Sequence, residues 1–182
     1  MGIKIKLKNV RLSYANLFKA RKSSKTDPSA KMVYGTALLI PKNHPQMKEL
    51  NDAVQEIGNE KFGKKWAGMF EEKNPVKDGD AKKYADDPAY HGMWVIGANS
   101  ERKPQIVDRK LEAITSEDEI YSGCWVNATF NVYAFEGDAN KGVTFGLNNI
   151  QLVKTGERLG GVAGADEDFE ELDDEEEGFK MD

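Results

Sequence analysis

The sequence predicts a mainly β protein: a small, partly open five-stranded barrel with an inserted helix, a long loop excursion and a disordered acidic C-terminal tail. Three observations predict it. Apolar and polar residues alternate with a period of two in several separate runs, the pattern of half-buried strands. Turn residues rather than helices space most of those runs, which argues against a doubly wound sheet. The segment 166–182 holds eleven carboxylates against one lysine. Like charges that dense repel one another and bury no apolar area.

The first run spans residues 3–14. Ile3, Ile5 and Leu7 point one way and Lys4, Lys6 and Lys8 the other. The phase slips at Lys8-Asn9, and Val10, Leu12 and Tyr14 resume the alternation. The slip reads as a bulge, which bends a strand and suits a barrel. A basic loop is expected next, with Lys19, Arg21, Lys22, Lys25 and Lys31 against Asp27 alone. Residues 32–40 form a second strand, stopped by Pro41. Asn43 is placed to cap a helix with Pro45 in its first turn, and Met47, Leu50, Val54 and Ile57 fall at helical spacing to about Lys61. A short second helical turn is expected over 63–70. Residues 71–92 carry turn chemistry throughout, at Asn74-Pro75, Asp78-Gly79-Asp80 and Asp87-Pro88, and read as a long excursion. Strand character returns at 93–98 and near 105–107. It is strongest over 124–135, and a connection over 136–142 leads to the last strand, 143–153. The organisation is a body of 1–155, a flexible glycine-rich linker of 156–165 and a tail of 166–182. A partly open five-stranded barrel of the oligonucleotide-binding (OB) type fits this strand count best.

Charge points to a class of partner. The chain has 26 basic and 31 acidic residues, a formal net charge of −5. Setting the tail's eleven acids and one lysine aside leaves 25 basic and 20 acidic residues in 1–165, or +5. The pI of 5.2 therefore hides a basic body, which suits a polyanion. A single cysteine, Cys124, excludes an internal disulfide and a Cys-cluster zinc site. Two histidines leave little material for a His-based metal site or triad. No window approaches 18 apolar residues, so no membrane span is expected. The N-terminus lacks the apolar stretch of a signal peptide. The expectation is an intracellular protein, compatible with a reducing cytoplasm, that needs no cofactor.

Several constellations could carry chemistry. Trp125, Asn127, Thr129, Asn131 and Tyr133 share one face of the strongest strand, opposite Cys124, Val126, Ala128, Phe130 and Val132. A face that mixes aromatic rings with amides and a hydroxyl can stack bases without fixing sequence; it can equally be an ordinary solvated face. Arg11, Lys19, Arg21, Lys22, Lys25 and Lys31 interleave with Tyr14, Phe18 and Tyr34. The cations would neutralise phosphates, while Tyr14 and Phe18 are either platforms or core. Arg102, Lys103, Arg109 and Lys110 form a third basic cluster. Asp78, Asp80, Asp86 and Asp87 could be read as divalent-metal ligands, but their spacing fails the EF-hand pattern and a solvated loop is the better reading. Phe62-Gly63-Lys64-Lys65 lacks the upstream glycine and the hydroxyl of a phosphate-binding loop. In the tail, Phe169, Leu172, Phe179 and Met181 punctuate the acid. Such a peptide can compete for a groove that binds phosphates and bases, dock on a basic partner, or simply keep the chain soluble.

The run Tyr121-Ser122-Gly123-Cys124-Trp125-Val126-Asn127-Ala128, followed by Asn131-x-Tyr133-Ala134-Phe135, Asn140-Lys141-Gly142-Val143 and Gly146-Leu147-Asn148-Asn149-Ile150-Gln151, resembles phage-encoded single-stranded DNA-binding proteins. Arg11-Leu12-Ser13-Tyr14, Asp86-Asp87-Pro88-Ala89-Tyr90, Lys103-Pro104-Gln105-x-Val107-Asp108 and Leu159-Gly160-Gly161 match as well, so the resemblance covers nearly the whole chain. Met93-Trp94 departs from it, standing where Tyr or Phe is expected, and leaves Trp94 open as core or platform. The resemblance implies an OB fold, binding of single strands regardless of sequence, and a tail that recruits replication or recombination proteins in the cytoplasm of an infected or lysogenic bacterial host. Residue roles are read from the chemistry alone. Arg11, Tyr14, Lys19, Arg21, Lys22, Lys25, Trp94, Lys103, Arg109, Trp125, Asn127 and Tyr133 are the expected DNA contacts, and Asp168, Phe169, Glu170, Glu176 and Phe179 the expected partner contacts in the tail. No catalytic or metal-binding residue is expected, and a homodimer is left open. The rivals are a metal-dependent nuclease built on the four aspartates, and an interaction protein that acts through its tail.

Overall fold

In the first strand, β1 (Ile3–Lys22), the predicted alternation is realised: Ile5, Leu7, Val10 and Leu12 are buried while Lys4, Lys6 and Lys8 face solvent. The computed structural model describes residues 2–159; the tail with its expected disorder and partner contacts, and the linker after 159, lie outside them. The expected bulge is present. The pairing of β1 with β6 (Trp125–Glu136) shifts register between Leu7 and Val10, and Asn9 there has φ 55°. Asparagine tolerates that left-handed conformation.

β1 does not stop at residue 14. It pairs with β6 through its first half and with β2 (Met32–Pro41) through its second. The expected basic loop is therefore shorter than the charge pattern suggested. Lys19, Arg21 and Lys22 stand on β1, with Arg21 opposite Val33 and Lys22 opposite Met32, and only residues 23–31, including Lys25 and Lys31, form the turn. Charge alone does not end a strand whose backbone has a hairpin partner.

After β2 come α1 (Met47–Phe62), α2 (Lys65–Lys73), the two-residue β3 (Lys77–Asp78), β4 (Met93–Ser100), β5 (Gln105–Val107), β6 and β7 (Lys141–Lys154). The ring runs β1-β2-β4-β7-β6 and back to β1. Every pairing in it is antiparallel except β4–β7, a parallel seam of two residue pairs, Ala98↔Phe145 and Asn99↔Gly146. The five-stranded barrel is thus shut at its shortest seam. Leu7, Leu12, Leu38, Ile40, Ile96, Ala128, Phe130, Val132, Phe145 and Ile150 fill it.

Helix α1 packs on β1, β6 and β7 through Leu50, Ala53, Val54 and Ile57. Its start corrects the expected Asn43 cap. The helix begins at Met47, with no side-chain cap hydrogen bond. The turn before it ties to the bulged β1 instead: Gln46 Nε2 donates to the Lys6 carbonyl (2.7 Å) and Gln46 Oε1 accepts from the Lys8 amide (2.9 Å). Helix α2 sends Trp66, fully buried, against Gly58, where a Cβ would lie 2.1 Å from the indole. The indole N–H donates to Gln55 Oε1 at 2.9 Å.

The excursion folds back onto the barrel's outside. Tyr90 packs with Leu39 and Val95 in a second apolar cluster, stacks on Tyr84 at 4.8 Å and hydrogen-bonds Ser13 Oγ at 2.7 Å. Burial of the phenol pushes its pKa up to about 12. Lys42 clasps the excursion's base through Asp78 (2.7 Å) and Asp80 (2.6 Å). Among the described residues, no helix is long and apolar enough to cross a membrane.

Candidate nucleic-acid interface

The outer face of β1, β2 and β4 is assembled by register. Arg11 lies opposite Leu39, Ser13 opposite Ala37 and Asn16 opposite Gly35; across β2, Leu39 lies opposite Val95, Ala37 opposite Gly97 and Gly35 opposite Asn99. The excursion covers the Leu39–Val95 end. The other end carries only small or amide side chains. Gly97 is exposed, and a Cβ there would meet nothing within 4 Å, whereas Asn99 Oδ1 lies across Gly35. Glycine inside a strand is where another backbone or a ligand can approach closely.

Tyr14 stands at the rim of this face. The β1–β2 register shifts between Ser13 and Asn16, and at that second bulge Tyr14 takes φ 47°. Its ring is 70 % exposed. An aromatic residue in the left-handed region costs about 1–2 kcal/mol, and such strain concentrates at functional sites. The simple alternation places Tyr14 on the core side with Val10 and Leu12; the bulge turns it outward. Phe18, by contrast, packs partly against the core, with the Lys103 ammonium 5.5 Å from its ring centre.

A groove of about 700 Å³ opens beside Tyr14. Its walls are β1 from Arg11 to Asn16, the excursion at Asp87–Ala89, and residues 157–159. That last wall belongs to the expected flexible linker, which over residues 156–159 is a pinned strap. Arg11 donates from Nε to the Gly123 carbonyl and from Nη2 to the Glu157 carbonyl, both at 3.0 Å. Tyr121 Oη donates to the Gly156 carbonyl (3.0 Å), the Leu159 amide donates to the Ser122 carbonyl (3.0 Å), and Arg158 lies 3.9 Å over the Tyr121 ring. Gly123, at φ 113°, allows the close approach: a Cβ there would lie 2.0 Å from the Glu157 carbonyl oxygen.

The expected contact residues fall in separate places. Arg11 and Tyr14 share the groove. Lys19, Arg21, Lys22 and Lys25 lie exposed at the end of the β1–β2 arm and its turn, with no ion pair among the described residues; the cations that do have one are Lys31, Lys42, Lys48 and Lys61. Tyr133, 39 % exposed, lies over Gly146 in a shallow pocket with Lys31, Asn99, Asn131 and Asn148. Trp125 is eight residues away on the same strand, roughly 26 Å at the usual rise. It is half-buried, with Arg11 and Lys154 each within 6 Å of its ring centre.

Besides Arg11, three of the expected contacts are engaged by the fold. Asn127 accepts from the Asn9 amide (3.1 Å) and donates to Gln151 (3.0 Å), so its side chain pins the first bulge. Arg109 donates to the Val153 carbonyl at 2.8 Å. Trp94 packs partly against the core, with the Lys42 ammonium 4.9 Å from its ring centre. Sequence reasoning passed over Asn16, Asn99, Lys154 and Arg158. The Gly97-x-Asn99 alternation was the only visible signal; nothing in a glycine-rich linker marks Arg158 as fixed.

The aspartates do not gather. Asp78 and Asp80 both hold Lys42, whose hydrogen bonds keep their carboxyls below the usual 3.8 and lift the lysine above 10.5. Among the described residues, no group of three or more His, Cys, Asp or Glu side chains is placed to hold a metal ion.

A five-stranded barrel whose first strand is bent by a bulge, paired on both sides and shut by one parallel seam defines the OB class. Within it, this chain belongs to the single-stranded DNA-binding protein family of Enterobacter phage Enc34, whose family model matches residues 3–179. That family is one of binding proteins, not enzymes. Protein p50 of Acyrthosiphon pisum secondary endosymbiont phage 1 is 32 % identical, over 96 % of this chain and 97 % of its own. The solved structure of the phage Enc34 single-stranded DNA-binding protein in complex with single-stranded DNA is 27 % identical, with a TM-score of 0.73 over 86 % of this chain and 89 % of that one. Bacteriophage T7 gp2.5, a single-stranded DNA-binding protein 14 % identical, shares the fold with a TM-score of 0.64 over 93 % of this chain and 98 % of its own.

Proposed function

We propose that this protein binds single-stranded DNA without regard to sequence, coating and protecting it during phage replication and recombination. The observation that carries the reading is Tyr14: an exposed ring held in a strained conformation at the rim of a groove lined by the small residues Ser13, Ala15 and Ala89, on the strand that further along carries Lys19, Arg21 and Lys22, which make no ion pair among the described residues. Cations track the backbone and aromatic rings stack bases, a combination that tolerates any sequence. Family membership supports the same reading. A mobility shift with a labelled oligothymidine strand and a duplex control tests it. The strand should shift and the duplex compete poorly; no shift would leave a protein that works through its tail alone.

The tail is proposed to do two things. It carries a net charge of −10 and two phenylalanines, and Leu159, the last described residue before it, lines the groove. A short tether holds such a peptide at an effective concentration on the order of millimolar. It therefore competes with DNA for the basic face and, once displaced, recruits a replication or recombination protein. Deleting 166–182 should tighten single-strand binding, most at low salt where charge attraction is least screened. Equal affinity of the truncated and full chains at low salt would remove the competitor role and leave the recruiting role.

A further inference from the structure

On the far side of Arg11 lies a second cleft, of about 840 Å³, walled by the first β1 bulge, the turn between β2 and α1, and Trp125. We propose that this cleft is a second nucleotide subsite, in which a base stacks on Trp125 while Lys8 and Lys154 receive the neighbouring phosphate. The proposal rests on the single-strand reading and extends the path of the strand past the strap.

Four observations support it. First, the walls are built in advance. Gln46 is bonded to the β1 backbone at Lys6 and Lys8, its own amide donates to His44 Nδ1 at 3.0 Å, and His44 Nε2 meets the Lys8 carbonyl. With both ring nitrogens engaged, His44 and Gln46 shape the cleft rather than contact a ligand. Pre-organised walls lower the ordering cost of binding.

Second, the polar groups left over are those a nucleotide needs. Lys8 and Lys154 are exposed and make no ion pair among the described residues, and the exposed Asn43 side-chain amide makes no hydrogen bond among them. Third, the two cations at the Trp125 ring differ. Arg11 is fixed by two carbonyls, whereas Lys154 rests on the indole from a flexible stem. A base can take the place of Lys154 on the ring and free its ammonium for phosphate. Fourth, the cleft adjoins the first site. Arg11 lines the Tyr14 groove and lies 5.7 Å from the centre of the Trp125 ring that lines the cleft. Arg11 and Tyr14 are three residues apart, about 10 Å of strand. A strand long enough to fill both sites crosses Arg11 and the strap between them.

The test uses the full chain and a labelled oligothymidine of about 16 nucleotides, the upper end of site sizes for one such barrel. It compares wild type, Lys8→Glu/Lys154→Glu, and a charge-matched control, Lys64→Glu/Lys65→Glu, on the exposed start of α2. Melting temperatures confirm that each variant folds. The cleft variant should lose at least tenfold in affinity and the control much less. A strand carrying photoreactive iodouracil should crosslink to Trp125 in wild type, still do so in Tyr14→Ala, and fail to do so in Lys8→Glu/Lys154→Glu. Tight wild-type binding with no Trp125 crosslink, or a cleft variant no weaker than the control, overturns the subsite while leaving the single-strand reading standing. A wild-type chain that binds no strand overturns both.

Discussion

Tyr14 is where conformation and proposed function meet most closely. Its left-handed backbone stores about 1–2 kcal/mol, and its exposed ring buries little that would repay it. Tyr14→Ala should therefore cost about 1–3 kcal/mol of single-strand affinity, the usual value of one stacked base, while Tyr14→Gly should raise or preserve Tm as it weakens binding. A variant that bound normally would remove Tyr14 from the site; one that melted much earlier would make it a structural residue. Gly123 is the opposite case. Gly123→Ala places a Cβ against the Glu157 carbonyl at a φ that L residues rarely adopt, and should cost on the order of 1–3 kcal/mol, read as a lower Tm with faster amide exchange at Leu159. Residue chemistry was the less legible part of the sequence. Alternation put Asn127 on the outer face correctly, but only the Asn9 bulge reveals that its amide is spent inside the fold. Alternation also put Tyr14 on the wrong side, because a second bulge has no one-residue signature when the bulged position is not glycine or asparagine.

At the scale of elements, pattern was legible wherever one face is buried. β1's first half, β6 and α1 follow their periodicity, and even the Asn9 slip was visible; β2 and β4 do not alternate, because the excursion also buries Leu39 and Val95 on their outer face. The second half of β1 was not, since its hairpin partner is what keeps a lysine-rich segment extended. Two predictions belong here. Gly58→Ala gains about 1 kcal/mol of helix propensity but drives a methyl into Trp66. Overpacking of this kind costs about 1–3 kcal/mol, so Tm should fall rather than rise. The Lys42 clasp supplies the other. Asp78 and Asp80 have depressed pKa values and Lys42 a raised one. The carboxylates contribute above 3.8 and lose that contribution as pH falls through their lowered values; the lysine contributes below 10.5 and fails only above its raised value. The excursion should stay clasped at neutral pH and loosen in acid. The Gly92 amide, which donates to Asp80, reports it: its NMR shift should move as pH drops below about 3.8, and in Lys42→Ala it should move at a higher pH.

For the whole molecule, the division of charge matters more than the total. A +5 body precedes a −10 tail, and Leu159, the last described residue, packs in the outer apolar cluster. The barrel class could be read from strand count and turn spacing, but not the strap, because a glycine-rich sequence permits both a mobile tether and the close backbone contacts seen at Gly123 and Gly156. The central claim is that a single strand is held through its phosphates by the exposed cations of β1 and its turn, with bases stacked on exposed rings. Its most direct test is the affinity of the full chain for oligothymidine measured across salt concentration. Log affinity should fall linearly with log salt, with a slope of about −0.7 for each phosphate neutralised; Tyr14→Ala should lower the line without changing its slope, and reversing Lys19, Arg21 and Lys22 should flatten it. An affinity indifferent to salt would contradict the account.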